Sequence, residues 1–284
     1  MPQNFNNECD SPSPMKPACR HILCWLLPLL LVGFGCSEAG NAQTEAGSAQ
    51  TEATSIRVMT FNTLHGGTRR GQPLSQTAQV ILDAGADMVG LQEASETAEA
   101  LAELLGWNLM IHDWSALVTP HEIVERHKDG IKIRLEGGQE VYVFNVHLNP
   151  KPYQPYQLMG IPYADAPFIQ TAAEAIQAAR SARGAQIAAT IGRINSLPDT
   201  DTPVFLTGDF NEPSHLDWTE ATAVAGRHPI QVAYPTSLAV VETGFADAWR
   251  TAYPDEMAQP GFTWTPDKAA DDPTVHHDRI DFVY

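Results

Sequence analysis

The apolar run Val204-Phe205-Leu206 leads directly into Thr207-Gly208-Asp209-Phe210-Asn211, so a carboxylate and an amide stand two residues apart at the end of a β-forming segment. The arrangement recurs along the chain. Asn62 follows Val58-Met59-Thr60-Phe61, Glu93 follows Val89-Gly90-Leu91, and His147 and Asn149 follow the run 143–146. Taken singly, an Asp after a strand is a turn former or helix cap, a Glu is a solvated group and a His is a hydrogen-bonded structural residue. The series reads differently. Strand ends at one rim of a packed sheet converge, and hard oxygen donors and amides placed there can share a divalent cation and a phosphate.

The elements that must position these groups follow from the apolar pattern. Ile56, Val58 and Met59 to Phe61 form a first strand. Leu74, Ala78, Ile81 and Leu82 then recur at helical spacing and lead through Gly85 into a core strand at Met88-Val89-Gly90-Leu91. Further strands are expected at 132–135, 141–146, 204–206 and 280–283, with a hairpin across Gly137-Gly138. The stripes Ile169, Ala173, Ile176 and Ile187, Ile191, Ile194 predict one long helix over 168–197, with Gly184 as its weak point. Strands alternating with helices, plus a hairpin, point to an α/β sandwich rather than a purely parallel sheet.

Residues 1–36 read as a signal peptide region: the apolar run 22–34 follows Lys16 and Arg20 and is too short for a comfortable bilayer span. Met15 directly precedes Lys16 and is a candidate true start. Gly33-Phe34-Gly35-Cys36-Ser37 resembles a bacterial lipoprotein cleavage site, which makes Cys36 the lipidation candidate. Residues 37–55 are small and polar, nearly repeat Ala-Gln-Thr-Glu-Ala and form a flexible linker; the folded domain is expected over 56–284. The four cysteines all lie at or before residue 36, so this domain contains no internal disulfide or thiolate metal site.

Five segments together resemble the endonuclease/exonuclease/phosphatase superfamily of deoxyribonuclease-like, metal-dependent phosphoesterases. They are Val58-Met59-Thr60-Phe61-Asn62, Asp87-Met88-Val89-Gly90-Leu91-Gln92-Glu93, Asn145-Val146-His147-Leu148, Thr207-Gly208-Asp209-Phe210-Asn211 and Arg279-Ile280-Asp281-Phe282. The resemblance implies an α/β (α+β) four-layer sandwich, two packed mixed β-sheets flanked by helices. It further implies that Glu93 binds Mg²⁺ or Mn²⁺ with Asn62 beside metal and phosphate, and that Asp209 orients or deprotonates the attacking water. Asn211 and His147 would donate to phosphoryl oxygens, with Asn149 a further phosphate contact. The segments around Asp247 and Trp264 resemble family segments at the substrate rim, and the loop 150–167, with three tyrosines, is long enough to shape a pocket mouth. Family members continue to a Ser-Asp-His segment whose His pairs with the residue equivalent to Asp281. This chain stops at Tyr284, so the expectation is a fragment without its final strand and with weak activity. His276 and His277 are expected in the loop entering the last strand rather than as replacements for that His.

The net charge of −17 favours a small phosphoester or a phospholipid headgroup over duplex nucleic acid, whose phosphates call for several Lys or Arg contacts. From residue 56 onward the balance is still 15 basic against 29 acidic residues. The reading is therefore an exported phosphodiesterase or phosphatase of the cell envelope, monomeric, with membrane attachment through a lipid anchor. A secreted nuclease of the same fold and a non-catalytic surface-binding lipoprotein stand as alternatives.

Overall fold

The computed structural model describes residues 55–199 and 201–284. The signal peptide region, Cys36 and almost all of the linker lie outside the described residues. Among the described residues nine strands form two sheets. In the first sheet β1 (Val58–Asn62) pairs parallel with β2 (Met88–Gln92), which pairs antiparallel with β4 (Ser115–Thr119) and through it with β3 (Asn108–His112). The second sheet runs β5 (Glu122–Arg126), β6 (Gly130–Arg134), β7 (Glu140–His147), β8 (Val204–Asp209), β9 (Asp281–Val283), with only β7 and β8 parallel.

Period-two alternation assigns each strand residue to one of two cores. Val58, Met88, Leu117, Ile131, Ile133, Val141, Val143 and Val283 meet between the sheets. Their neighbours Met59, Val89 and Leu91 face outward under α1 (Leu74–Asp83) and α2 (Ala98–Leu105). Tyr142, Phe144, Leu206 and Phe282 face outward on the other side, under the helical layer that includes Ile187 and Val240. Helix, sheet, sheet, helix is the four-layer sandwich. β2 is buried at all five positions, as a strand covered on both faces must be.

The structure departs from the expected elements in three places. Leu82 is half exposed, and α1 buries Thr77, Ala78 and Ile81 instead. The helix expected over 168–197 begins later, at Ala172, where Thr171 and Glu174 form a reciprocal capping box. It then breaks into α4 (Ala172–Ala179), a π-helical turn at Arg180–Gly184 and α5 (Ala185–Asn195), with α3 (Gln154–Met159) before it and α6 (Glu220–Val224) and α7 (Pro235–Glu242) after β8. The π turn carries Arg183, which is fully buried and pairs with Glu212 at 2.9 Å. Finally, β3, β4 and β5 were not among the expected strands. β3 and β4 are joined across Asp113-Trp114, a two-residue connection with Asp113 at φ +47°, and β5 is a short, charged edge strand with a bulge.

Candidate active site

The face that builds the core between the sheets also builds the site. On β1 the inward positions run Val58, Thr60, Asn62; on β2 Met88, Gly90, Gln92; on β7 Val141, Val143, Asn145, His147; on β8 Phe205, Thr207, Asp209; on β9 Val283, Asp281. Each strand is apolar at one end and polar at the other. The parallel pairings β1–β2 and β7–β8, with β9 running antiparallel, bring all the polar ends to the same rim.

Between core and rim lies a buried polar node. Gln92 Nε2 donates to Asn145 Oδ1 at 2.7 Å, and Thr207 Oγ1 lies 3.1 Å from the same oxygen. Asn145 Nδ2 donates to the Leu91 and Ala116 carbonyls at 3.0 and 3.2 Å. This joins the two sheets through polar groups with good geometry, which is stable only because each member is satisfied. Gly90 leaves it room: a Cβ there would stand 2.2 Å from Thr207 Oγ1 and 2.6 Å from Asn145 Oδ1. Gly208 is required by a similar close approach, since a Cβ would meet the Val146 carbonyl at 2.3 Å.

At the rim, a cleft of about 1550 Å³ is lined by Asn62, Glu93, His147, Asp209, Asn211 and Asp281, among others. Asn62 is the bridge. Its Nδ2 donates to Glu93 Oε1 at 3.2 Å and to Asp209 Oδ2 at 2.9 Å, while its Oδ1 accepts the Leu64 N–H at 2.9 Å. Its amide therefore orients two carboxylates, and its oxygen is turned to the backbone. Glu93 Oε2 accepts the His65 N–H at 2.9 Å, and Glu93 itself sits in the left-handed region at φ +55°. Asp209 Oδ1 accepts the Asn211 N–H at 2.8 Å, and its Oδ2 lies 3.8 Å from His147 Nε2. Asn211, at φ +49°, donates its amide to the Leu148 carbonyl at 2.9 Å. Leu64 and His65 on the same wall are also at positive φ, and four non-glycine residues held there are strain of the kind that surrounding contacts must hold in place.

Asp209 and Asp281 face each other in register across β8 and β9. Burial raises the Asp209 carboxyl above the ordinary range, with the Glu93 charge adding and His147, Asn62 and the Asn211 N–H opposing. Burial raises Asp281 much further, reinforced by Asp209 and Glu93. One oxygen of Asp281, Oδ1, is buried without a hydrogen-bond partner among the described residues. The rim thus holds three carboxylates with more negative charge than its neighbours compensate.

Two of the expected contacts stand outside the cleft lining. Asn149 lies beyond the end of β7, where the chain has turned toward α5: its N–H meets Gln186 Oε1 and its carbonyl accepts from Arg183, while its Oδ1 takes the Lys151 N–H. Asp247 caps α8 (Ala248–Ala252) and holds Arg279 in a two-pronged pair at 2.9 and 2.8 Å. It acts on the cleft wall from behind. Trp264 does line the cleft, 38% exposed, and donates to the Tyr156 hydroxyl at 3.2 Å. Cleft residues that sequence reasoning passed over include His65 and Thr263. His65 was signalled by its place in the glycine-flanked turn after Asn62, and Thr263, which accepts the Asp281 N–H at 3.1 Å, by its place in the rim segment beside Trp264, although nothing local paired it with Asp281. His276 is buried away from the cleft and His277 contacts the Lys268 carbonyl, both in the segment that enters β9.

The Endonuclease/Exonuclease/phosphatase family model matches residues 59–284. This chain belongs to that family. A Caenorhabditis elegans relative, "Uncharacterized protein F14F9.5", is 29% identical over 296 residues, covering 93% of this chain and 86% of that protein. Among solved structures the chain is similar to an AP endonuclease from Archaeoglobus fulgidus (16% identity, TM-score 0.49, 80% of this chain and 86% of that one). It is also similar to a mannosyl-6-phosphatase from Bacteroides thetaiotaomicron (15% identity, TM-score 0.48, 81% and 84%). Family membership indicates a hydrolase of phosphoester bonds, of phosphoesterase or nuclease type, and the family is in general dependent on divalent metal.

Proposed function

We propose that this protein is a Mg²⁺- or Mn²⁺-dependent hydrolase of a small phosphoester or a phospholipid headgroup. The observation that carries the reading is the convergence of Glu93, Asp209 and Asp281, with Asn62 and His147, on one face at one rim. The residues fit a hard divalent cation. Carboxylate oxygens are its preferred donors, the surplus of negative charge is local, and the orphaned Asp281 Oδ1 marks where charge is uncompensated. Glu93 would hold the ion, which when bound supplies charge neutralisation at the phosphoryl oxygens.

The chain's own groups perform the rest. Asp209, fixed through both oxygens by Asn62 and the Asn211 N–H, is placed to orient a water and accept its proton, and its raised affinity for protons suits it to that role. His147, 3.8 Å from Asp209, and the Asn211 amide are placed to donate to phosphoryl oxygens as charge builds. In-line attack at phosphorus asks little covalent work of a protein, so positioning and charge neutralisation suffice in kind.

The substrate preference rests on charge and cleft content. The chain is acidic overall, and the cleft walls carry Tyr156, Tyr163 and Trp264, with Arg69, Arg70 and Lys268 at the rim. Arg70 is tied to Asp267 and Lys268 to Asp272, which leaves little free positive charge for a long polyanion. Export to the cell envelope and anchoring through Cys36 belong to the same proposal. Purified protein is to be assayed with a chromogenic phosphodiester, inositol phosphates, sphingomyelin and plasmid DNA, each with Mg²⁺ and with chelator. Hydrolysis of a small or lipid phosphoester that chelator abolishes supports the reading. Plasmid cleavage alone would favour the nuclease, and activity that survives chelator would sink the metal.

A further inference from the structure

On the side of Asp278 away from the cleft, three buried side chains converge that the proposed hydrolysis does not use. His228 Nδ1 lies 3.1 Å from His276 Nε2, and His276 Nε2 lies 3.5 Å from Asp278 Oδ1. All three atoms fall within 4.8 Å of one another, and the residues are 6%, 9% and 2% exposed. We propose that His228, His276 and Asp278 form a structural zinc site, separate from the cation site at Glu93.

The geometry suits that ion. Zinc bonds of about 2.0–2.1 Å in a tetrahedron set neighbouring ligand atoms roughly 3.3 Å apart, between the two separations observed here. Two imidazoles and one carboxylate are donors zinc accepts and Mg²⁺ does not favour. The supporting contacts are those that metal ligands need. The His228 ring also hydrogen-bonds the backbone of Asp217; a ring proton committed there leaves Nδ1 as a lone pair facing the cluster. Asp278 is fixed through both oxygens, by Trp218 Nε1 at 2.9 Å and the Tyr153 hydroxyl at 2.6 Å. Trp218 stacks on the His228 ring with centroids 4.1 Å apart and covers it from solvent. A small cavity of about 10 Å³ is lined by His228 and Asp278, room for roughly one water beside these two ligands.

Such an ion would tie together segments that lie far apart in the sequence. His228 follows α6 (Glu220–Val224), while His276 and Asp278 precede β9 and its Asp281. Asp278 also pairs through its backbone with Trp264, and its Tyr153 partner lines the same cleft. The zinc therefore pins the aromatic wall of the active-site cleft without touching the reacting phosphate.

The test uses the purified chain without a histidine tag, stripped with chelator and titrated with Co²⁺ and then Zn²⁺. One equivalent of Co²⁺ should give the strong visible absorption of a tetrahedral site, quench tryptophan emission through Trp218 and be displaced by Zn²⁺ with a rise in melting temperature. Six-coordinate Co²⁺ at the oxygen-rich rim absorbs only weakly, so Glu93→Gln should keep the band, while His228→Gln and Asp278→Asn should lose it. Absence of the band from the unmutated chain overturns the proposal, whatever the variants do. So does a band that persists in both His228→Gln and Asp278→Asn. Either result leaves the three residues as a hydrogen-bonded relay.

Discussion

Asn62 on the first sheet donates to Asp209 on the second at 2.9 Å, so the proposed base is oriented by a residue 147 positions away on a different strand. The contact exists because both residues end the inward-facing row of their strands. It also makes the alignment of the two sheets a condition of activity.

Asn62→Ala removes one hydrogen bond from each of two carboxylates without adding charge. The expected result is a fall in kcat of about 10- to 100-fold with little change in melting temperature, since one such bond to a charged group is worth about 1.5–3 kcal/mol. Steady-state kinetics beside a thermal melt would refute the bridging role if kcat stayed within twofold.

Asp209→Ala and Glu93→Gln each remove a group acting in the same transition state. Each should lose roughly 10²- to 10⁴-fold in kcat/KM, and the double variant should lose far less than the product. Multiplicative losses would show that base and cation site act independently.

Asp281 and Asp209 bind protons more tightly in the folded chain than in the unfolded one, because burial and the charge of neighbouring carboxylates disfavour their charged forms. Their contribution to stability is complete below the ordinary Asp value of 3.8 and is lost as pH rises through their raised values. Chelated protein should therefore gain more melting temperature from Mg²⁺ at pH 8 than at pH 5, and Asp281→Asn should shrink that difference. Equal gains at both pH values, measured by calorimetry, would contradict the assignment.

Gly90→Ala forces a methyl group into the node of Gln92, Asn145 and Thr207, where the nearest atoms stand at 2.2 and 2.6 Å. The cost should be roughly 3 kcal/mol, from overpacking and a disturbed buried network, read as a lower denaturation midpoint. An unchanged midpoint would mean that the node yields without loss.

What the sequence determined by itself was the face on which each group lies. The alternation through Val58-Thr60-Asn62, Met88-Gly90-Gln92 and Phe205-Thr207-Asp209 is a local property of a pleated strand, and Asn62, Asp209 and the Glu93 that follows Gln92 were legible as candidates for one site. Tertiary packing decided the rest. Asn149 carries the same polar signature as Asn62, but the strand ends at His147 and the chain turns away to Arg183 and Gln186. Asp247 looked like a rim residue and is spent on Arg279. His228 and His276 carry no shared signal 48 positions apart, and Thr263 none beside Asp281, because loops are placed by the surfaces they cover rather than by a repeating backbone period.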